Sequence, residues 1–124
     1  MTKFFIEASK NTPRVVLDPD NNILEISGSS YIENANKFYK PIFELLKNYH
    51  PTNKSEINLN FKFEFISSSS IISIVDILKF FEKLNHEGRT VTVNWLYKFD
   101  DDELLSTGRD LSEITTLKFK MVGS

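Results

Sequence analysis

Apolar and polar side chains alternate without a break between residues 57 and 65, and this pattern constrains the fold more than any other. The apolar positions are Ile57, Leu59, Phe61, Phe63 and Phe65. The residues between them are Asn58, Asn60, Lys62 and Glu64. Because successive side chains of a β-strand point to opposite faces, the segment predicts a strand with one buried face and one polar face.

Two short apolar runs precede this strand and predict a hairpin. Residues 15–17 and 23–26 are separated by the sequence Asp18-Pro19-Asp20-Asn21-Asn22. Proline presets its backbone angle for a turn and asparagine tolerates left-handed geometry, so this separator favours a tight reversal. We expect Gly28 to end the second strand of the hairpin.

Two segments have the apolar spacing of helices. The first is predicted over about residues 31–48, with Ser30 as its N-cap and Glu33 completing a capping box. The second is predicted over about residues 70–85, and its apolar stripe is wider than one sheet contact requires. That width predicts packing on two sides or a surface that receives a partner, and it leaves a homodimer open as an alternative.

The remainder of the chain predicts a strand, a short helix and a last strand. Residues 90–97 are rich in β-branched and aromatic side chains, which favour a strand. The acidic residues 100–103 suit the positive end of a helix dipole, and Gly108 is expected to end that helix. Leu117, Phe119 and Met121 indicate a last strand.

This order of elements predicts the fold class. Strands separated by helices imply parallel pairs joined by right-handed crossovers, whereas the opening hairpin is antiparallel. We therefore expect one α/β domain spanning residues 1–124, with a mixed sheet, an opening β-hairpin and helices packed mainly on one face.

Composition and charge narrow the classes of function. The chain has 15 basic and 17 acidic residues, and this balance argues against a nucleic-acid partner, which requires a basic surface. The absence of cysteine excludes disulfides and cysteine zinc sites. No segment approaches the roughly 20 apolar residues that span a bilayer, and the first residues do not resemble a signal peptide. We expect a cytoplasmic protein without membrane insertion.

The serine run at residues 67–70 lies where the alternating strand gives way to the second helix. Serine is an ordinary N-cap, and a run of serines is an ordinary turn, so a purely structural role is the simpler interpretation. The functional hypothesis is that one hydroxyl accepts a phosphate near the amides of the helix N-terminus. Both roles are compatible if one serine caps the helix and another is modified.

No other group of residues predicts catalysis, a metal or a cofactor. His50 and His86 are far apart and have no ligand-type neighbour at metal spacing. The acidic residues 100–103 lack the glycine and spacing of a calcium loop. With only 4 glycines, the chain has no phosphate-binding loop, and no nucleophile motif is present. A small enzyme stays an alternative without positive support.

Four segments, in this order along the chain, resemble the SiaC family of bacterial regulatory phosphoproteins. They are Thr12-Pro13; Gly28-Ser29-Ser30-Tyr31-Ile32-Glu33-Asn34 with Phe38-Tyr39-Lys40-Pro41-Ile42; Phe65-Ile66-Ser67-Ser68-Ser69-Ser70 with Val75-Asp76-Ile77-Leu78; and Val93-Asn94-Trp95-Leu96-Tyr97 with Asp101-Asp102-Glu103 and Gly108. The resemblance covers nearly the whole chain and rests on the joint order and spacing of these segments. It implies a STAS-like fold, similar to that of anti-sigma-factor antagonists.

The resemblance also implies a phosphorylation site. In this family the third segment typically reads aromatic-x-Asn-Thr-Ser-Ser, and a dedicated kinase phosphorylates the Thr. Alignment on Asp76-Ile77-Leu78 places Ser67 at the Asn position and Ser68 at the Thr position. Serine keeps the hydroxyl group, so Ser68 is the predicted site, and the serine repeat leaves Ser67 and Ser69 as alternatives. The predicted partner-binding residues are Ser67, Ser68, Ser69, Ser70, Ile71 and Ile72.

The family resemblance further implies a partner-switching cycle. A protein kinase and a metal-dependent Ser/Thr phosphatase would set the phosphorylation state, and the unphosphorylated form would bind and activate a target such as a diguanylate cyclase. That cyclase would raise cyclic di-GMP and promote biofilm formation. The first alternative is a general anti-sigma-factor antagonist with the same switch and a different client. The second is a small enzyme of unknown activity, and the third is a structural or oligomerisation domain.

Overall fold

The computed structural model of the chain describes residues 3–51 and 56–124. The elements are β1 (Phe4–Ile6), β2 (Arg14–Asp18), β3 (Ile23–Ser30), α1 (Ala35–Lys47), β4 (Glu56–Ile66), α2 (Ser68–His86), β5 (Thr90–Tyr97), α3 (Asp102–Glu113) and β6 (Lys118–Gly123). Within the described ranges, the strands form a six-stranded sheet in the order β1-β2-β3-β4-β5-β6. β1, β2 and β3 are antiparallel neighbours, and β3 to β6 are parallel neighbours. The predicted mixed sheet with an opening hairpin is confirmed.

One face of the sheet carries the core. Side chains that α1, α2 and α3 bury join the apolar strand residues in a single cluster. On β4 this cluster takes Ile57, Leu59, Phe61 and Phe63, whereas Asn58 and Asn60 on the opposite face are only half-buried. The prediction that helices pack mainly on one face is therefore confirmed. None of the helices in the described part of the chain is long and apolar enough to cross a membrane.

An aromatic group fixes the core beneath the carboxyl ends of the parallel strands. The ring centroids of Phe61, Phe63 and Trp95 lie 5.9 to 6.1 Å apart. Trp95 is 1% exposed, and its indole N–H donates to the Leu104 carbonyl oxygen at 2.9 Å. Burial of rings of this size stabilises a fold by about 1.5–3 kcal/mol each. This packing ties the start of α3 to the sheet edge where the serine run emerges.

The first helix begins later than predicted. Ser30 is not its N-cap: it is the last residue of β3 and is fully buried. Its hydroxyl bonds the Tyr39 hydroxyl at 2.8 Å and Ser70 Oγ at 2.7 Å, which draws it into the core. α1 starts at Ala35 after Asn34, and Asn34 makes no side-chain capping bond, so the predicted capping box with Glu33 does not form.

Both glycine predictions are wrong. β3 continues past Gly28 to Ser30, with a register irregularity between Gly28 and Ser29. Gly108 lies inside α3, which runs on to Glu113. A Cβ at position 108 would lie 2.5 Å from Trp95 Cδ1, so glycine allows the helix to approach the buried indole. The sequence analysis also missed β1, a strand of 3 residues.

The other elements agree with the sequence. The alternating segment is β4, extended by one residue at each end, and β5 has the predicted bounds. The acidic residues 100–103 lead into α3, with Asp101 as the N-cap, and the last strand is β6. α2 begins at Ser68, two residues before the predicted start.

Candidate phosphorylation and docking site

The serine run occupies the step from β4 to α2 at the carboxyl edge of the parallel strands. Ser67 connects the two elements, and Ser68, Ser69 and Ser70 form the first turn of α2. Ser67 N–H donates to the Ser30 carbonyl oxygen at 2.9 Å, which holds the turn against the end of β3. The four hydroxyl groups therefore belong to one short segment, but each of them has different neighbours.

Ser67 caps α2. Its backbone is extended, and its hydroxyl oxygen accepts a hydrogen bond from Ser70 N–H at 3.2 Å. The same hydroxyl donates to the Ile32 carbonyl oxygen at 2.9 Å. A capping side chain satisfies one of the free amides at a helix start and typically stabilises it by about 1 kcal/mol.

Ser70 belongs to a buried polar network. It is fully buried, and its hydroxyl bonds Ser30 Oγ at 2.7 Å and lies 2.9 Å from Ser67 Oγ. Ser30 Oγ also forms a hydrogen bond with the Tyr39 hydroxyl, so the network extends to α1. Burial raises the pKa of Tyr39 to about 12, so this hydroxyl stays neutral at physiological pH. The network joins β3, α1 and α2 beneath the surface.

Ser69 supports the neighbouring helix. Its hydroxyl oxygen accepts a hydrogen bond from Ala35 N–H at 3.0 Å, at the first residue of α1. The side chain is half-buried. Ser69 thus satisfies an amide for which Asn34, the residue preceding the helix, supplies no side-chain acceptor.

Ser68 differs from the other three serines. It is exposed, and its hydroxyl makes no hydrogen bond to any residue in the described ranges. It sits at the first position of α2, where a negative group would lie near the positive end of the helix dipole. Among the predicted site residues, the structure leaves this hydroxyl accessible, whereas Ser67 and Ser69 are half-buried and hydrogen-bonded.

Three exposed apolar side chains lie on the same part of the surface as Ser68. Tyr31, Phe65 and Ile72 are 59%, 44% and 66% exposed, respectively. The Tyr31 and Phe65 rings lie 4.9 Å apart, and Ile72 follows Ser68 by one helical turn on the same face of α2. We call the surface formed by Tyr31, Phe65, Ser68 and Ile72 the Ser68 patch. Of the predicted partner-binding residues, Ile72 lies on this patch, and Ile71 is half-buried beside it.

The sequence analysis missed Tyr31 and Phe65 as surface residues. Strand alternation assigned Phe65 to the buried face, but the β3–β4 pairing shifts there: Gly28 pairs with Phe63 and Ser29 pairs with Phe65. Glu64 is the additional residue of this bulge, and a bulge redirects the side chains that follow it. The signal available in the sequence was Gly28, whose φ of 102° favours glycine at this irregularity.

A cavity of about 300 Å³ opens beside Ser68. Ser68 and Ile71 line it, together with the acidic residues Glu64, Asp101 and Glu103. Among the described residues, no lysine or arginine lines it. Asp101 is held in place because its carboxylate accepts a hydrogen bond from Leu104 N–H at 3.0 Å as the N-cap of α3. We call Glu64, Asp101 and Glu103 the acidic flank.

A second cavity of about 630 Å³ continues from the first along the sheet edge and shares Glu64, Asp101 and Leu104 with it. Its charged lining residues have both signs, and Arg14 and Glu25 form an ion pair at 3.3 Å across two strands. No group of three His, Asp or Glu side chains in the described part of the chain could hold a metal ion. His50 and His86 are exposed and lie outside these cavities.

Comparison with known proteins gives one family. A family model described as SiaC family regulatory phosphoprotein matches residues 6–124. An uncharacterized protein of Pseudomonas aeruginosa (strain UCBPP-PA14) is 22% identical over 119 residues, which cover 96% of this chain and 94% of that protein.

Solved structures of SiaC from Pseudomonas aeruginosa have the same fold. The crystal structure of apo-SiaC matches with a TM-score of 0.84 at 20% identity, covering 100% of both chains. A chain in the crystal structure of the diguanylate cyclase SiaD in complex with its activator SiaC matches with a TM-score of 0.88 at 21% identity, covering 98% of this chain and 99% of that chain.

Proposed function

Because this chain belongs to the SiaC family of regulatory phosphoproteins, we propose that it is a non-catalytic partner-switching protein controlled by phosphorylation of Ser68. In its unphosphorylated form it binds and activates a diguanylate cyclase in the cytoplasm. A protein kinase adds the phosphate and a Ser/Thr phosphatase removes it. A SiaC protein of this fold is the activator of the diguanylate cyclase SiaD in a solved complex, which supports this choice of target.

The exposed, hydrogen-bond-free hydroxyl of Ser68 is the observation that carries the proposal. A kinase must reach the acceptor oxygen and transfer a phosphoryl group to it without breaking the fold. Modification of Ser67 would remove the N-cap of α2, and modification of Ser70 would place a charge in the core. Ser68 accepts the group at no such cost.

The surroundings of Ser68 favour an inhibitory phosphate. The group adds about 1.5–2 negative charges at neutral pH. The exposed apolar side chains of the Ser68 patch lie on the same part of the surface, and in the described part of the chain the neighbouring cavity is lined by three acidic residues and by no lysine or arginine. Docking of a partner would therefore require desolvation of a dianion beside a cavity in which no described cationic side chain pairs with it, and such a step opposes binding.

The decisive experiment combines phosphate mapping with a cyclase assay. The chain is treated with its cognate kinase, the modified residue is identified by mass spectrometry, and both forms are added to the cognate diguanylate cyclase. We expect one phosphate on Ser68 and at least about a tenfold loss of affinity, the loss expected when about 1.4 kcal/mol of binding free energy is removed. Cyclic di-GMP synthesis should fall with binding.

Two variants separate charge from the loss of the hydroxyl. Ser68→Ala should bind and activate like the unmodified chain, and Ser68→Asp should bind more weakly. Thr90→Asp adds the same charge at an exposed residue at the start of β5, at the opposite end of the parallel strands from the serine run, and should behave like the unmodified chain. The proposal is wrong if no phosphate maps to residues 67–70, or if the phosphorylated chain activates the cyclase as well as the unmodified one.

A further inference from the structure

We infer that the Ser68 patch and the acidic flank form one docking surface, and that the partner surface it receives has an apolar centre bordered on one side by lysine or arginine. This inference rests on the proposed function, because it specifies the chemistry of the partner that the unphosphorylated chain binds. It assigns Glu64, Asp101 and Glu103 to contacts with the partner, a role that goes beyond the phosphorylation cycle.

The apolar centre follows from exposure. Tyr31, Phe65 and Ile72 are each more than 40% exposed, whereas most large apolar side chains of the described residues lie in the core cluster. Aromatic side chains that are rigid and partly exposed are typical of the centre of protein interfaces. A partner that excludes water from these three side chains must present apolar groups to them.

The basic border follows from charge. The acidic flank lines the cavity next to Ser68, and none of its three carboxylates forms an ion pair within the described ranges. Glu64 and Glu103 are exposed, and only Asp101 has a structural task, as the N-cap of α3. Opposite charges across an interface accelerate association and fix the orientation of the partners.

The same charges argue against other occupants. A symmetric dimer through this surface would bring two copies of the acidic flank together, because an isologous interface pairs one patch with itself. Nucleic acids and anionic lipid surfaces would be repelled for the same reason. A protein with a basic border is the remaining class that matches both the apolar and the charged part of the surface.

The phosphate and the acidic flank affect binding through different interactions. Ser68 lies among the apolar side chains, so a phosphate there opposes the desolvated contact itself, and salt does little to relieve that penalty. The carboxylates act through solvent, and salt screens them. Phosphorylation should therefore weaken binding at all salt concentrations, whereas neutralisation of the flank should weaken it only at low salt.

The test measures association of the chain with its cognate diguanylate cyclase by surface plasmon resonance. Glu64→Gln together with Glu103→Gln should lower the association rate by about tenfold at low salt, the lower end of what electrostatic steering contributes. The difference should vanish near about 1 M salt, where the screening length is about 3 Å. Neither carboxylate makes a hydrogen bond in the described part of the chain, so urea unfolding should show an intact fold.

Asp110→Asn together with Glu113→Gln is the matched control. Both residues are exposed on α3, and the pair removes the same charge about 10 Å or more farther along the helix from Glu103. At about 0.1 M salt, where the screening length is about 10 Å, this control should leave the association rate within about twofold, because its charges lie at or beyond that distance from Glu103.

The outcomes distinguish the inference from the proposed function. If phosphorylation abolishes binding but the Glu64 and Glu103 variant associates as fast as the unmodified chain or faster, the basic border is wrong and the switch stands. If the unmodified chain does not bind the cyclase, both fail. Dimerisation of the chain that Ile72→Ser abolishes, measured by sedimentation, would also overturn the inference.

Discussion

Ser70 and Ser68 are two residues apart in one helical turn, and their hydroxyl groups are expected to do different work. Ser70 Oγ lies within 3.1 Å of Ser30 Oγ, the Ser30 carbonyl oxygen and Ser67 Oγ, inside the protein. Ser68 Oγ faces solvent. A buried hydroxyl that loses its partner leaves other polar groups unsatisfied, which is more costly than the loss of an exposed one.

Ser70→Ala should therefore lower the free energy of unfolding by about 1–2 kcal/mol, because Ser30 and Ser67 would lose a buried partner. Ser68→Ala should change it by less than about 0.5 kcal/mol, as expected for an exposed residue without partners. Urea denaturation followed by circular dichroism measures both. Equal destabilisation by the two variants would contradict a structural role for the Ser70 hydroxyl and the absence of one for the Ser68 hydroxyl.

The sequence could place the serine run at a strand-to-helix junction, because the periodicity changes there. It could not rank the four hydroxyl groups by accessibility. The partners that bury Ser70 and engage Ser67 come from Ser30 and Ile32, 40 and 35 positions away along the chain, respectively. The alignment to the family motif predicts Ser68, and the exposure of its side chain supports that prediction.

Helix α3 is shaped by a close approach to the sheet. Gly108 is buried in its middle, and the Trp95 ring occupies the space that a side chain at position 108 would need. The ring cannot easily move, because its N–H donates to the Leu104 carbonyl oxygen one turn earlier. The position of α3 sets the position of the acidic flank, since Asp101 and Glu103 lie at its start.

Gly108→Ala should destabilise the protein despite the better helix propensity of alanine. The propensity gain is at most about 1 kcal/mol. Insertion of a methyl group into a packed contact of this kind typically costs about 1–3 kcal/mol. Thermal unfolding should show a lower Tm for Gly108→Ala and an unchanged or slightly higher Tm for Ser106→Ala, an exposed control on the same helix. A higher Tm for Gly108→Ala would contradict the close approach of α3 to the Trp95 ring.

One carboxylate of α2 holds the segment that leads into β6, the strand that pairs with β5. Glu82 Oε2 accepts hydrogen bonds from Thr116 N–H at 2.6 Å, Thr115 Oγ1 at 2.8 Å and Thr116 Oγ1 at 3.0 Å. These residues lead from α3 into β6, an edge strand of the sheet. The hydrogen bonds, led by the Thr116 amide, lower the pKa of Glu82 below its ordinary value of 4.5.

The lowered pKa of Glu82 predicts that the free energy of unfolding depends on pH in the acid range. The ionised carboxylate is favoured in the folded state, so the unfolded chain binds the proton more readily. The contribution of Glu82 is therefore complete above pH 4.5 and is lost as the pH falls through the lower folded pKa. Glu82→Gln keeps an acceptor oxygen and removes the titration, so the free energy of unfolding should vary less with pH below 4.5.

Urea denaturation at a series of pH values on both sides of 4.5 measures this effect. Glu113→Gln, an exposed carboxylate without a hydrogen bond in the described part of the chain, is the control. Identical pH profiles for the unmodified chain and Glu82→Gln would show that the Thr115 and Thr116 contacts do not persist in solution.

The sequence by itself determined the type and order of most elements, because periodicity and turn residues report on local backbone geometry. It also placed the core face of β4, the acidic start of α3 and the serine run, and it supplied the family resemblance. Only the tertiary structure decided that Ser30 is buried, that Phe65 faces solvent and that Gly108 lies inside a helix. It also decided that Ser68, alone among the four serines, has a hydroxyl without a hydrogen bond to a described residue. Each of these four features depends on contacts between segments that are distant in sequence. Local sequence patterns do not show which of those segments come into contact.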